Sequence, residues 1–237
     1  MVQAQAFLLD IEGTTTPVDF VFKTLFPYAR EQLNAFLAVN FDLPAVRDAV
    51  GLLRAEHESD VGAGADLPAW QGDPVSVEAY CRWLMDRDRK STGLKALQGM
   101  IWQAGYESGK LKSVVYSDVV SAFARWKDLG KGICIYSSGS ILAQKLLFAH
   151  TQAGDLTGVI DSYFDTTTGP KREVSSYQLI AKQMGVAPQE ICFLSDVVEE
   201  LDAASVAGFA TFLVLRDGAK LPQGFNPQRS VANFNSL

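Results

Sequence analysis

Asp10 and Glu12 stand two residues apart where a short apolar run, Ala6-Phe7-Leu8-Leu9, gives out into Gly13-Thr14-Thr15. A carboxylate at the end of a buried strand lies at the carboxyl edge of a sheet, outside which open α/β folds bind their ligands. Two carboxylates this close repel unless a cation or a proton comes between them. Taken alone, the same residues also suit an ordinary acidic turn. Asp196 repeats the arrangement: it follows the apolar run Ile191–Leu194 with Ser195 between, and opens a predicted helix carrying Glu199, Glu200 and Asp202. Neighbouring strands would bring Asp10 and Asp196 onto one hard cation. Magnesium suits such a set, because it takes few carboxylates, keeps waters and meets phosphate oxygens. Glu199 and Asp202 read as acidic residues favoured at a helix start, whereas Glu200, one turn past Asp196, can turn inward behind it.

Two further loops share this placement. Tyr136-Ser137-Ser138-Gly139-Ser140 follows an apolar run and precedes a helical pattern. Hydroxyls and main-chain N–H groups at a helix start suit an anion, and capping by Ser138 or Ser140 is compatible with that. Lys171 follows Thr166-Thr167-Thr168-Gly169-Pro170. A phosphate beside carboxylates needs more positive charge than one divalent ion brings, and a lysine supplies it; Arg172 is the rival, and a solvated lysine the plainer reading. Taken together, the four features read as phosphoryl transfer to Asp10. The carboxylate attacks phosphorus in line, magnesium and Lys171 neutralise the oxygens, and water later cleaves the aspartyl phosphate.

The elements that must position these residues are legible as apolar runs alternating with helical patterns. The predicted strands are Ala6–Leu9, Gly132–Tyr136, Ser162–Phe164, Ile191–Leu194 and Ala210–Leu215. Helical patterns follow at Ser140–His150, Arg172–Met184 and Val197–Ala207. Continuous apolar strands between helices imply an α/β fold with a doubly wound parallel sheet covered on both faces. Between Thr16 and about Ser117 the rhythm changes to helices alone, at Phe22–Val39, Pro44–His57, Val75–Arg89 and Leu94–Gly105. The division expected is an α/β core of residues 1–16 and 117–237, with a helical cap of residues 17–116 inserted after the first strand. Asp118 reads as the acidic N-cap of the helix that resumes the core.

Composition excludes several classes. The net charge of −6 over 237 residues provides no basic field for nucleic acid. No apolar run reaches the ~18 residues of a membrane span, and the first strand begins too near residue 1 for a signal peptide. Cys81, Cys134 and Cys192 show no C-x-x-C spacing and read as buried free thiols, which suggests a reducing, cytoplasmic compartment. His57 and His150 lack a second nitrogen or sulfur ligand at useful spacing and read as packing residues.

The order Asp-x-Glu-Gly-Thr-Thr, Ser-Ser-Gly, Lys and Ser-Asp resembles the four motifs of the haloacid dehalogenase superfamily. Most phosphatases of that superfamily carry Asp two residues after the nucleophile, where this chain has Glu12. Asp10 to Pro17, Asp-Ile-Glu-Gly-Thr-Thr-Thr-Pro, is similar specifically to the enolase-phosphatases, or acireductone synthases, of methionine salvage. The similarity continues through Leu97–Trp102, Gly105–Leu111, Tyr136–Ser140, Phe164-Asp165-Thr166, Gly169-Pro170-Lys171 and Leu194-Ser195-Asp196. Two segments depart from it: relatives often have Gly-His near Ser113-Val114 and Pro at Ser117, and commonly Arg-Pro-Gly-Asn at Arg216-Asp217-Gly218-Ala219.

The resemblance implies that Asp10 is nucleophile and magnesium ligand, that Glu12 offers a main-chain carbonyl to the metal, and that Asp196 is the third protein ligand. It implies that Ser137, Ser138 and Gly139 hold the phosphate and Lys171 neutralises it, in a monomer. The implied substrate is a small phosphorylated diketone, 2,3-diketo-5-methylthiopentyl-1-phosphate. It is enolised, then dephosphorylated to 1,2-dihydroxy-3-keto-5-methylthiopentene. Enolisation needs a group that takes and returns a proton, and the Glu12 side chain is the candidate. Tyr106, Lys110 and Lys112 are candidates to reach the substrate from the cap. The rival readings are a general phosphomonoesterase on the same fold and a phospho-accepting signalling module, against which the helical insertion and Glu12 argue.

Overall fold

The computed structural model describes residues 4–237. Its elements are β1 (Ala6–Leu9), a short helix α1 (Val18–Phe20) running into a π-helical turn at Val21–Leu25, α2 (Phe26–Asn40), α3 (Pro44–Gly62), α4 (Pro74–Asp86) and α5 (Thr92–Glu107). There follow α6 (Ser117–Asp128), β2 (Gly132–Tyr136), α7 (Ile141–Ala149), β3 (Ser162–Phe164), α8 (Val174–Met184), β4 (Ile191–Ser195), α9 (Val198–Val206), β5 (Ala210–Val214) and β6 (Ser230–Val231). The chain divides into two compact units, one combining the segment up to Val21 with Lys112–Leu237, the other Phe22–Leu111. The helical unit is therefore narrower than the expected 17–116.

In the first unit six strands form one sheet, β3-β2-β1-β4-β5-β6, with every pairing parallel. The central strands β1, β2 and β4 are buried on both faces, which is why they read as unbroken apolar runs. Phe7 stacks on Trp126 of α6 with ring centroids 3.8 Å apart, while Leu8 packs on the other face with Tyr177 and Ile180 of α8 and Ala204 of α9. The sheet is thus doubly wound. Strand order reverses beside β1, and Leu9 pairs with Leu194, so the chain leaves β1 and β4 side by side at the switch point.

Several local expectations change. The N-cap of α6 is Tyr116, and Asp118 lies within its first turn, drawn to a tertiary partner rather than to the helix's own N–H groups. Asp196 does not open α9, whose N-cap is Val197. The strand β6, two residues long, carries no apolar run to announce it.

The second unit buries Leu33, Leu37, Leu53, Tyr80, Leu84, Leu97 and Ile101 in one core. Gly93 lets α5 approach α3 closely: a Cβ there would lie 2.7 Å from the Ala49 carbonyl oxygen. His57 is a packing residue, 2.8 Å from the Pro68 carbonyl and edge-on to Tyr80. Tyr106 is buried at 3% exposure, whereas Lys110 and Lys112 are exposed. All three cysteines are buried and free. Among the described residues no helix is long and apolar enough to cross a membrane.

The fully buried Tyr80 donates its hydroxyl to Asp60 at 2.8 Å, and Arg89 reaches the other carboxylate oxygen at 3.1 Å. Burial pushes Asp60 up, but these two donors outweigh it and hold the carboxyl below its ordinary value. A depressed carboxylate contributes stability above its unfolded pKa, about 3.9, and that contribution is lost as pH falls through the folded value. Tyr80→Phe should cost about 1 kcal/mol in urea unfolding at neutral pH and less in acid. An equal cost at every pH would contradict this account.

Candidate active site

The site grows from the ends of β1 and β4. Asp10 follows β1 and is 3% exposed; its N–H bonds the Leu194 carbonyl at 3.0 Å, continuing the ladder one step past the strand. Its Oδ1 accepts from the Ile11 N–H at 2.8 Å and pairs with the Lys171 ammonium at 2.6 Å. Among the described residues its Oδ2 receives only a long bond, 3.3 Å, from the Ser195 hydroxyl at the end of β4. One carboxylate oxygen is thus fixed and the other lightly held.

The chain then turns back within six residues. The Ile11 carbonyl accepts N–H bonds from Thr14, Thr15 and Thr16 at 3.2, 3.0 and 2.9 Å, and Gly13 N–H bonds the Thr16 carbonyl at 2.8 Å. Gly13 is left-handed, with φ of 70°, and a Cβ on it would lie 2.2 Å from Asp196 Oδ2. Both the turn and the approach of Asp196 require glycine.

Glu12 Oε2 accepts from the Ser137 hydroxyl at 3.3 Å. Burial, then the charge of Asp10, raises the Glu12 carboxyl above its ordinary value. Asp196 is open to solvent on one side. Even so, partial desolvation at the mouth, with Asp10 adding to it, pushes its carboxyl up to about 6. Lys171 is buried and bridges Asp10 and Glu200, the second contact being 2.7 Å. Burial opposes its charge, but the two carboxylates outweigh it and hold its pKa above the ordinary value. Glu200 also accepts from Ser195 at 3.0 Å; burial and Asp10 push it up to about 7.

The loop after β2 is more committed than its hydroxyls suggest. The Ser137 hydroxyl accepts from Gly139 N–H at 3.1 Å, and the Ser140 hydroxyl caps α7 through Ala143 N–H at 3.3 Å. Asp165 takes the Ile141 N–H at 3.2 Å and the Thr167 N–H at 2.9 Å, tying the start of α7 to the turn after β3. Ser138 is exposed and Gly139 half-buried. The hydroxyls of Ser137 and Ser140 are thus engaged within the loop and its helix.

Two sets of contacts have no counterpart in the sequence reading. The Lys171 loop is pinned by three hydroxyls on successive carbonyls: Tyr136 on Gly169 at 2.8 Å, Ser176 on Pro170 at 2.8 Å and Tyr177 on Lys171 at 2.6 Å. Arg216, after β5, donates Nε and Nη2 to the Thr14 carbonyl at 3.1 and 2.9 Å. The Tyr136 and Arg216 contacts join distant parts of the chain, so no local signal marks them.

A divalent cation fits this donor set. Lys171 pairs with Asp10 and Glu200, leaving Glu12 and Asp196 with no ion pair among the described residues; burial first, and the charge of Asp10 second, raise the carboxyls of Glu12, Asp196 and Glu200. Among the described residues no three His, Cys, Asp or Glu side chains converge as a complete ligand cluster. Two carboxylates, a main-chain carbonyl and retained waters are the set that magnesium accepts.

Residues 4–208 match the haloacid dehalogenase-like hydrolase family. Enolase-phosphatase E1 of Synechococcus elongatus is 53% identical over 92% of this chain and 91% of its own length. Enolase-phosphatase E1 of Sorangium cellulosum is 51% identical over 91% and 89%. The crystal structure of the UTR4 protein of Saccharomyces cerevisiae matches with a TM-score of 0.81 and 36% identity, covering 99% of this chain and 100% of that one. With its parallel sheet and its carboxylates at the ends of β1 and β4, the chain belongs to the haloacid dehalogenase-like hydrolases and, within them, to the enolase-phosphatase E1 family.

Proposed function

We propose that this chain enolises 2,3-diketo-5-methylthiopentyl-1-phosphate and then hydrolyses its phosphate, as a magnesium-dependent enolase-phosphatase of methionine salvage. The observation that carries the reading is the pair at the end of β1. Asp10 has one lightly held oxygen, and beside it the Glu12 carboxyl has a raised proton affinity.

Asp10 Oδ2 attacks phosphorus while Oδ1 stays fixed by Ile11 and Lys171, so the carboxylate presents a single oxygen. Lys171 supplies positive charge to the phosphoryl oxygens, and Ser137, Ser138 and Gly139 line the anion's side of the site. Glu12, placed by Ser137, protonates the leaving oxygen and then takes a proton from the water that cleaves the aspartyl phosphate. In the earlier step the same carboxylate takes the proton beside the carbonyl and returns one to oxygen. Asp10, the Glu12 carbonyl and Asp196 would hold a magnesium ion, which would supply neutralising charge to phosphoryl and enolate oxygens.

Incubation with the diketone phosphate and magnesium, followed by enol and acireductone absorbance, tests the reading. Both signals are expected in sequence. Turnover of simple phosphomonoesters with neither signal would replace it by a general phosphatase. Glu12→Gln should lower both steps by about 10²–10⁴-fold, the range of general acid–base contributions. Wild-type turnover in that variant would remove Glu12 from the chemistry.

A further inference from the structure

We infer that Arg216 is a positioning residue for this reaction, acting through the Thr14 carbonyl on the turn that carries Glu12 and Gly13; the inference rests on the enolase-phosphatase reading. The turn spends its own N–H groups on Ile11 and Thr16, leaving the Thr14 carbonyl directed away from it and buried. A buried carbonyl needs donors. Arg216 gives two, Nε and Nη2, at 3.1 and 2.9 Å.

The guanidinium is itself held from every side. Nη1 lies 2.9 Å from both oxygens of Asp118 and 3.3 Å from the Ala232 carbonyl, and the rings of Tyr116 and Phe234 flank it at 4.3 and 4.6 Å. Tyr116 grips the same turn through its N–H on the Thr15 carbonyl at 3.0 Å, and its hydroxyl bonds Asp217 at 2.5 Å. Asp217 sits at φ of 53°, in the left-handed region.

The arrangement has the geometry of a brace. Gly13 already touches Asp196, so a shift of the turn has no free direction: it moves Glu12 against Ser137 or opens the gap between Gly13 and Asp196. Arg216 has a side-chain exposure of 6% and its donors are engaged, so it does not itself meet substrate. Lysine keeps the charge but not the planar fork that serves Thr14 and Asp118 together.

The test compares wild type, Arg216→Lys and Asp118→Asn on the diketone phosphate and on p-nitrophenyl phosphate, with thermal unfolding titrated against magnesium chloride. Misplacement by about 1 Å costs roughly 10²-fold, so Arg216→Lys should lower kcat by about 30–100-fold with KM within about threefold. The magnesium concentration giving half-maximal thermal stabilisation should rise at least about fivefold, whereas a purely structural arginine would lower Tm without moving that midpoint. Asp118→Asn, which keeps both bonds to Thr14 but loosens their anchor, should shift kcat the same way by about 3–10-fold. A kcat within about twofold of wild type and an unchanged magnesium midpoint in the folded variant would overturn the inference. Should Arg216→Lys not fold, the same result in Asp118→Asn overturns it. If wild type releases phosphate only from the p-nitrophenyl ester, the substrate reading fails, and the Arg216 comparison is read on that ester.

Discussion

Asp10→Asn should abolish phosphate release, by at least about 10⁴-fold, while leaving enolisation of the diketone phosphate measurable. An amide oxygen can still accept the Ile11 N–H and the Lys171 ammonium, now 2.8 and 2.6 Å from Oδ1, so the fold of the site is kept. What is lost is a second anionic oxygen able to bond to phosphorus. The substitution also removes a negative charge that raises the carboxyls of Glu12, Asp196 and Glu200. All three should therefore move down toward ordinary carboxylate values, and the acid limb of the remaining enolisation should shift to lower pH. Single-turnover absorbance at several pH values, beside a phosphate assay, reads both effects. Phosphate release above a hundredth of wild type, about two orders of magnitude from the expected value, would exclude Asp10 as the acceptor. An acid limb that stays in place would exclude Glu12 as the enolising group.

The parts of this site legible in the sequence are those whose position follows from local pattern. Asp10 and Ser195 end unbroken apolar strands, and parallel pairing of Leu9 with Leu194 sets the two ends side by side. Ser137 directly follows β2, the other neighbour of β1, which brings its hydroxyl to Glu12. Lys171 is different, lying seven residues beyond β3, where no register extends. Its placement depends on hydroxyls of Tyr136, Ser176 and Tyr177, each of which reads in isolation as a strand or helix residue.

Asp118 shows the converse error. An acid near a helix start has the pattern of a cap, but Arg216, nearly a hundred residues on, offers a charge-assisted pair in which Nη1 meets both carboxylate oxygens. The π turn at Val21–Leu25 is hidden for another reason: apolar spacing there fits an ordinary helix, and a widened turn leaves no trace in it. Sequence pattern thus reports which residues lie at the catalytic edge, and tertiary hydrogen bonds decide how tightly each is held.

Lys171→Met should lower phosphate release by about 10²–10³-fold, the cost of removing one preorganised electrostatic group. It should also destabilise the protein by about 3–5 kcal/mol in magnesium-free buffer, because breaking a buried ion pair leaves uncompensated charge. Here the stranded groups are Asp10 and Glu200, which share the ammonium at 2.6 and 2.7 Å. The pH dependence separates this from a simple packing defect. In wild type the raised pKa of Lys171 means that its contribution is fully present below its unfolded value, about 10.4, and is lost only as pH rises beyond that through the folded value. In the variant, Glu200 loses the cation that lowers it, and its carboxyl rises further from a value already at about 7. A carboxyl raised in the folded state weakens stability as pH climbs from its unfolded value toward its folded one. The gap between wild type and variant should therefore be small near about pH 5 and widen through neutrality. Urea unfolding at a series of pH values with a chelator present measures it, and added magnesium should restore part of the loss by replacing the missing charge. A gap that is constant across pH and indifferent to magnesium would mean that Lys171 contributes packing alone.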